Sequence, residues 1–488
     1  MVHFISLWSL VLVTMSSLMG AVQSKEVVCY YGTWASYRVG NGKFTVDDIN
    51  PLLCTQLNYA FFDINSNGTI RIMDEYLGLP SGLNAIGKFN NLRQKNPALK
   101  TFAAIGGWDA GTANFKAVAS DSQRRATFAR NAVAFLQQYR FDGMDIDWEF
   151  PDAVDKANFV LFLQELAKAF APYNYLLTVA VGATEWRANE SYDIPAISRI
   201  VNYINLMAYD MDGNYGVTRH HAAIFQGPGS IDDTDFKRQL NVDAVIRYWL
   251  SKGASANKLN LGVPFYGHTF KLANPGVDGV GAPTSGVGSG VMAYNEFCVS
   301  SFPRKQFDSV QGAAFASGNG EWVSYDSVES IKQKCNLIAK YGLGGGMVWS
   351  IEQDDFKGLC GGPKFTLLST LNGCVNTDGP ASVTTTSATT QVTTTTTTTT
   401  TAKPATTKTT PTPTTTIATK PTTITTTKAV TSVSGSFVCT RDGYFRDSYD
   451  CNKYYRCYAG TKYTFNCPSG LYFNEPAITC DWPSNVKC

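Results

Sequence analysis

Short runs of consecutive apolar and β-branched residues recur along the first three-quarters of the chain, separated by longer amphipathic stretches. The runs are Val27–Trp34, Gln56–Ile64, Leu99–Gly107, Gly143–Glu149, Leu176–Ala183, Tyr203–Asp210, Leu259–Gly267 and Gly344–Ile351. Near-continuous apolar runs of this length mark strands buried on both faces, as in a parallel sheet covered by helices. Helical spacing of apolar positions fills the intervals, clearest over Ser122–Tyr139 and Ala157–Phe170. Eight strands alternating with helices over roughly 350 residues predict an α/β chain folded as a (β/α)8 barrel. An open doubly wound sheet is the competing arrangement, and it is disfavoured because no glycine-rich phosphate loop follows the first run. Between the seventh and eighth runs the chain is too long for one helix. Residues 270–325 are rich in Gly, Tyr and Phe and predict a small inserted α+β subdomain.

One run breaks the apolar pattern. In Phe141-Asp-Gly-Met-Asp-Ile-Asp-Trp-Glu-Phe-Pro151 three acids, Asp145, Asp147 and Glu149, stand two residues apart. In a strand, positions i, i+2 and i+4 share a face. Like charges stacked on an enclosed face oppose one another and force one or more pKa values upward. Ile146 and Trp148 alternate with the acids, so both faces are expected to be covered. The arrangement costs stability and therefore reads as functional. Asp142 is out of phase with the other three and is equally well explained as structural.

A barrel places its chemistry at the C-terminal ends of its strands. Glu149 ends the fourth run, Tyr209 and Asp210 the sixth, and Trp34, Trp108 and Trp349 the first, third and eighth. Acids and aromatic faces are thereby expected to converge on one mouth, an arrangement suited to packing against the apolar faces of sugar rings.

Composition adds compartment and domain limits. An apolar run from Phe4 to Met19, followed by small and polar residues, reads as a secretory signal over residues 1–24, and no later run is apolar enough to cross a membrane. The formal net charge is +2, which supports neither nucleic-acid binding nor steering onto a charged polymer. Of twelve cysteines, Cys29, Cys54, Cys298, Cys335, Cys360 and Cys374 are spread through the first part, and Cys439, Cys451, Cys457, Cys467, Cys480 and Cys488 crowd the end. Two even sets behind a signal read as disulfides. Four histidines and no Cys-x-x-Cys pair give little support to zinc. Asn67-Gly-Thr and Asn189-Glu-Ser are acceptor sequences for N-glycosylation. Residues 376–435 collapse to Thr with Pro, Lys and Ala, a composition that cannot bury a core and is typical of an O-glycosylated spacer. The chain therefore divides into a barrel over 25–375, a spacer, and a small unit over 436–488.

Hydrolysis of a glycosidic bond needs a carboxylic acid held protonated near neutral pH. Glu149, outermost on its strand, is the candidate, with Asp147 raising its pKa and Asp145 sharing a proton with Asp147. The nucleophile is open between two sources. Asp210 is the second carboxylate an ordinary retaining enzyme would need about 5 Å away. Alternatively the substrate's own 2-acetamido oxygen attacks, with Asp147 orienting the N–H and Tyr209 bonding the carbonyl.

Asp142-Gly-Met-Asp-Ile-Asp-Trp-Glu149 resembles the DxxDxDxE signature of glycoside hydrolase family 18 chitinases. Ala104-Ile-Gly-Gly-Trp108, Met207-Ala-Tyr-Asp210 and Gly345-Gly-Met-Val-Trp349 resemble the family's motifs on strands three, six and eight, and the likeness extends from Val27 to Gly373. The resemblance implies Glu149 as general acid/base and Asp147 as the acetamide-orienting residue, turning between Asp145 and Glu149. It further implies Tyr209 polarising the acetamide, an oxazolinium intermediate, and Trp349 flooring the cleaved sugar's subsite. Trp34, Gly106, Gly107, Trp108, Asp109, Phe150, Met207, Ala208, Asp210 and Tyr266 would line the cleft, with Asp74 and Glu75 as loop contacts. No metal or organic cofactor is implied. Two positions depart from the pattern: Phe150 stands where Tyr is common and His268 where Arg is common. The pairs Cys29–Cys54 and Cys298–Cys360 also follow from the resemblance, and Cys335–Cys374 is the pair that remains.

The terminal six cysteines, with 11, 5, 9, 12 and 7 residues between them and eleven aromatics interleaved, resemble family 14 (peritrophin-A-like) chitin-binding domains. That resemblance implies the pairs Cys439–Cys457, Cys451–Cys488 and Cys467–Cys480 in a disulfide-rich β domain. Tyr463, Tyr472 and Trp482 are the aromatics singled out for sugar contact. The expectation is a secreted, monomeric chitinase with chitin and chitooligosaccharides as partners. A binder of the same fold without turnover is the runner-up, and an endoglycosidase acting on glycoprotein glycans is the third reading.

Overall fold

The computed structural model describes residues 25–376 apart from 214, and, toward the C-terminus, 437–440, 443–448, 450–458, 461–467, 472–475, 479–481, 483 and 486. The expected signal (1–24) and most of the spacer (376–435) lie outside the described residues. Two units are resolved by their internal contacts.

In the first unit eight parallel strands close on themselves: β1 (Glu26–Gly32), β2 (Gln56–Ile64), β3 (Lys100–Gly106), β4 (Gly143–Asp147), β5 (Leu176–Gly182), β6 (Tyr203–Met207), β7 (Leu259–Pro264) and β8 (Gly345–Trp349). Each pairs with its neighbour in sequence, and β1 pairs with β8 through Glu26↔Gly345 to complete the barrel. Outward-facing Ile105, Ile146 and Leu206 join Phe159, Phe162 and Leu166 of helix Lys156–Phe170 in one apolar layer. Helix Ser122–Tyr139 starts where Asp121 accepts a 2.8 Å bond from Arg124 N and stops at Arg140 in the left-handed region, φ 63°. These side chains leave water as strands and helices dock, at about 25 cal/mol per Å² of apolar surface.

The inside of the barrel is polar. Asn58, Asp145, Thr178, Asn205 and Asn260 are all 0 % exposed. Four of them survive there by bonding to one another: Asn260 donates to Asn205 (3.0 Å), and Asn205 (3.2 Å) and Thr178 donate to Asp145, while Asn58 accepts from Gln56 (2.7 Å).

The insertion begins earlier than the sequence reading placed it. β7 stops at Pro264, which cannot donate to the ladder, and an antiparallel five-stranded sheet starts at Tyr266 and runs to Tyr325, with helix Tyr294–Phe297 within it. Its own core holds Phe270, Phe315 and Trp322. The disulfides Cys29–Cys54, Cys298–Cys360 and Cys335–Cys374 tie this unit together.

The second unit contains an antiparallel sheet of Gly443–Arg446, Lys453–Tyr458 and Thr461–Asn466, and a strand pair, Tyr472–Asn474 with Thr479–Asp481. Cys439–Cys457 is a disulfide; Cys451 and Cys467 are also bonded, while the side chains of Cys480 and Cys488 lie outside the described residues. Tyr454 and Phe473 stack at 4.2 Å across the two sheets, and Tyr472 is half-buried. The side chain of Tyr463 and all of Trp482 lie outside the described residues.

Candidate active site

The acid strand delivers its three carboxylates at increasing height in the barrel. Asp145 is deepest and wholly enclosed. It accepts from Tyr30 (2.6 Å), Thr178 (2.5 Å) and Asn205 (3.2 Å). Burial raises its pKa to about 6, and those three donors restrain the rise. Asp147, 2 % exposed, is pushed well above the usual carboxylate range, first by burial and then by Glu149 and Asp145. Its Oδ1 is buried without a hydrogen-bond partner among the described residues. No hydrogen bond joins Asp147 to either acid, so the expected turn between them is not represented by a contact. Glu149 lies two residues beyond the end of β4, and burial with Asp210 and Asp109 nearby lifts it to about 7.

Strand β3 must approach this strand closely. Gly107 N donates to Asp147 O at 2.9 Å, and a Cβ on Gly106 (φ 114°) would stand 2.0 Å from that same oxygen. The Ala-Ile-Gly-Gly-Trp motif is therefore a packing requirement of the acid strand.

Past β6, Tyr209 is buried, and its hydroxyl stays protonated because burial and the acids around it raise its pKa. Asp210 follows in the left-handed region, φ 58°, which turns its carboxylate toward the cleft wall. Tyr266 donates to Asp210 Oδ1 at 2.6 Å, His268 Nε2 stands 3.1 Å from it and His221 Nδ1 3.5 Å. Burial works to raise Asp210, but the two imidazoles prevail and hold it below the usual carboxylate range. His268 faces Asp212 through Nδ1 at 2.9 Å. Burial would lower its pKa, yet the two carboxylates lift it to about 10.

A cleft of about 980 Å³ opens over these groups. Trp349 forms its floor beside Phe61 (5.6 Å, stacked), Tyr30 (5.5 Å) and Trp34 (6.0 Å). Trp34 and Trp108 stand at the rim, 42 % and 74 % exposed. Asp74, Gly106, Asp109, Phe150 and Met207 also line it. Glu75, Gly107 and Ala208 do not. Glu75 opens a short helix whose N-cap, Asp74, accepts from Leu77 N and Tyr37, so Asp74 faces the cleft and Glu75 faces water. Ala208 is turned into the apolar layer, and Gly107 has Phe61 where a side chain would sit.

Several lining residues escaped the sequence reading. Trp186 and Arg187 lie on helix Glu185–Ser191, directly after β5, and the Arg187 guanidinium covers both the Phe150 ring (4.8 Å) and the Trp186 ring (4.3 Å). Their position just past a strand end was the available signal. Phe236 and Tyr215 come from the long β6–β7 connection, where no motif marked them. Asp142 lies at the opposite end of β4, paired with Arg93 (2.9 Å) and accepting from Thr101 N (2.8 Å), and is structural. Of the two acceptor sequences, Asn67 sits on an exposed turn. Asn189 is exposed, but its Ser191 hydroxyl is buried and donates to Pro151 O.

The family model described as "Glycosyl hydrolases family 18" matches residues 26–354. The chain belongs to glycoside hydrolase family 18. A second model, "Chitin binding Peritrophin-A domain", matches residues 439–488. Among curated relatives, Chitotriosidase-1 of Mus musculus is 32% identical over 94% of this chain and 95% of its own length, and the Endochitinase of Manduca sexta is 33% identical over 96% and 97%. The crystal structure of the Ostrinia furnacalis Group IV chitinase with allosamidin is similar over 72% of this chain and 98% of that one, at 42% identity and a TM-score of 0.69. Human YKL-39, described as a pseudo-chitinase with retained chitooligosaccharide binding, is similar at 31% identity and a TM-score of 0.68 over 72% of this chain and all of that one. This family 18 glycoside hydrolase thus has both chitinases and a pseudo-chitinase among its structural neighbours, so its own acid strand must decide between them.

Proposed function

We propose that the chain is a secreted chitinase that cleaves β-1,4 bonds between N-acetylglucosamine units with retention, using the substrate's acetamide as nucleophile. The supporting observation is the state of the acids above the floor of the cleft. Glu149, with a pKa near 7, holds a proton for the leaving oxygen, and Asp147 below it presents an unpaired acceptor, Oδ1. In this reading the sugar lies on Trp349, its acetamide N–H donates to Asp147, and Tyr209 donates to the acetamide carbonyl. That oxygen attacks C1 as Glu149 protonates the departing glycosidic oxygen. The oxazolinium ion formed is opposed by the Asp147 carboxylate, and water, deprotonated by Glu149, attacks C1 from the face the leaving group vacated and breaks the bond to the acetamide oxygen on the opposite face.

Asp210 fits the alternative role of nucleophile poorly. Its carboxylate is already committed to Tyr266 and the two histidines and is held strongly ionised, which lowers its basicity. The three disulfides of the barrel suit an oxidising compartment, in keeping with secretion. The C-terminal unit serves to hold the enzyme on the polymer.

Hydrolysis of chitin hexamer beside its deacetylated counterpart, with wild type and Glu149→Gln, tests the reading. The proposal expects cleavage of the acetylated oligomer alone, lost in the variant. Equal cleavage of both would remove the acetamide from the mechanism and return Asp210 as nucleophile. Binding without cleavage of either would make the chain a lectin.

A further inference from the structure

Sequence spacing gave no hint of a metal site, yet folding gathers two of the chain's four histidines around one carboxylate. Asp210, His221 and His268 each offer a ligand atom, and these atoms lie within 4.8 Å of one another. Asp210 Oδ1 stands 3.1 Å from His268 Nε2 and 3.5 Å from His221 Nδ1. With metal–ligand bonds of about 2.0–2.1 Å, neighbouring donors of a tetrahedral zinc stand roughly 3.3 Å apart, so both separations already suit a shared ion.

Two further observations point the same way. His221 is 1 % exposed; among the described residues its buried Nε2 has no hydrogen-bond partner, and its Nδ1 has only the 3.5 Å contact with Asp210. A buried imidazole so loosely paired is costly, and an ion between its Nδ1 and Asp210 would bind it more closely. His268 carries the outer partner that a metal-bound imidazole usually has: its Nδ1 stands 2.9 Å from Asp212 Oδ2, and its Nε2, directed at Asp210, releases its proton to water when an ion takes that place. Tyr266 donates to the same oxygen, Asp210 Oδ1, at 2.6 Å and fixes the carboxylate in place. Asp210 keeps 53 % of its side chain exposed along the cleft, so an ion has a route in and a fourth position open to water.

We propose that Asp210, His221 and His268 form a binding site for a divalent transition-metal ion of the Zn²⁺ type, in the wall of the cleft. Two imidazoles and one carboxylate are the donor set such an ion takes, and a hard cation such as Mg²⁺ or Ca²⁺ would find too few oxygens. The ion has no part in the hydrolysis. By claiming Asp210 it competes with the sugar expected to bond there, so the site acts as a reversible inhibitory switch. That competition rests on the proposed oligosaccharide site, whereas the metal site does not.

The test is calorimetric titration of the metal-free full-length protein with Zn²⁺, alongside His221→Phe, His268→Gln and Asp212→Asn, each checked for folding by circular dichroism. The expected result is one Zn²⁺ per chain, bound at least roughly tenfold more weakly in either histidine variant and roughly 10–100-fold more weakly in Asp212→Asn. Co²⁺ substitution should give a visible absorption band that His268→Gln abolishes. Failure of wild type to bind Zn²⁺, or binding that the folded histidine variants leave unchanged, would overturn the site. In the Glu149→Gln background chitohexaose should raise the apparent Kd for Zn²⁺. An unchanged Kd beside intact metal binding would overturn the competition and leave the site standing.

Discussion

Tyr30 donates its hydroxyl to Asp145 Oδ2 at 2.6 Å, a bond that crosses the barrel interior from β1 to β4. It is one of three donors that keep the deepest acid from rising further than about 6. Tyr30→Phe should therefore make Asp145 harder to ionise and leave its Oδ2 unpaired in the barrel. A lost hydrogen bond to a charged group is worth about 1.5–3 kcal/mol, so the melting temperature of the barrel should fall by a few degrees. The same variant should lower kcat more than it raises KM, because Tyr30 acts beneath the substrate. An unchanged melting temperature would show that Asp145 does not depend on this donor.

The alkaline limb of activity should follow Glu149. Its pKa of about 7 comes from burial first, then Asp210, then Asp109. Turnover needs the protonated form, so kcat/KM should decline as pH rises through about 7. Asp109→Asn removes one negative neighbour at the rim and should move that limb to lower pH, with little effect well below it. A pH–rate profile of the variant superimposable on wild type would remove Asp109 from the set of groups that tune the acid.

Stability should carry the same signature with a defined sign. Glu149 is raised from 4.5 in a free chain to about 7 in the fold. A group raised in this way favours the folded state fully below its unfolded value, and that contribution is lost as pH rises through the folded value. Glu149→Gln cannot ionise and so escapes the loss. Its melting temperature should exceed that of wild type at about pH 8 and converge with it at about pH 4, a difference read by calorimetry at the two values. A gap that is constant with pH would mean that packing, not ionisation, separates the two proteins.

What was legible in the sequence divides along physical lines. Near-continuous apolar runs exposed the eight strands, because burial on both faces leaves little freedom in residue type. The acid strand was legible for the opposite reason: charges in an apolar run have few structural uses. Boundaries were less clear. Tyr266 and Gly267 read as the end of β7, since nothing in the apolar pattern separates barrel from insertion; only Pro264 does. Asp210 was legible as a strand-end acid, but its partners His221 and His268 were not. They come from a loop and from the inserted sheet, and long-range contacts of that kind leave no local pattern. Trp186 and Arg187 escaped for the same reason, standing on a short helix with no motif of its own.

The aromatic residues of the cleft should separate into two behaviours. Trp108 is 74 % exposed, whereas Trp349 packs against Tyr30, Trp34 and Phe61. Trp108→Ala should leave stability unchanged and raise KM for long oligomers roughly tenfold, or about 1–2 kcal/mol. Trp349→Ala should lower kcat/KM far more and also destabilise the barrel by about 3 kcal/mol, the lower range for removing a packed aromatic. Equal losses of stability in the two variants would contradict the packing difference.

The C-terminal unit offers a test in which chemistry and attachment separate. The polar interior and cleft are built wholly within the first unit, so removing residues 436–488 should leave hydrolysis of soluble chitohexaose unchanged. On insoluble chitin the binding unit raises the local concentration of the enzyme, and its loss should lower the rate at limiting protein at least roughly tenfold. The deficit should shrink as protein concentration rises, because attachment then ceases to limit the reaction. A shortened protein that degrades insoluble chitin as fast as the full chain at every concentration would show that the barrel holds the polymer unaided.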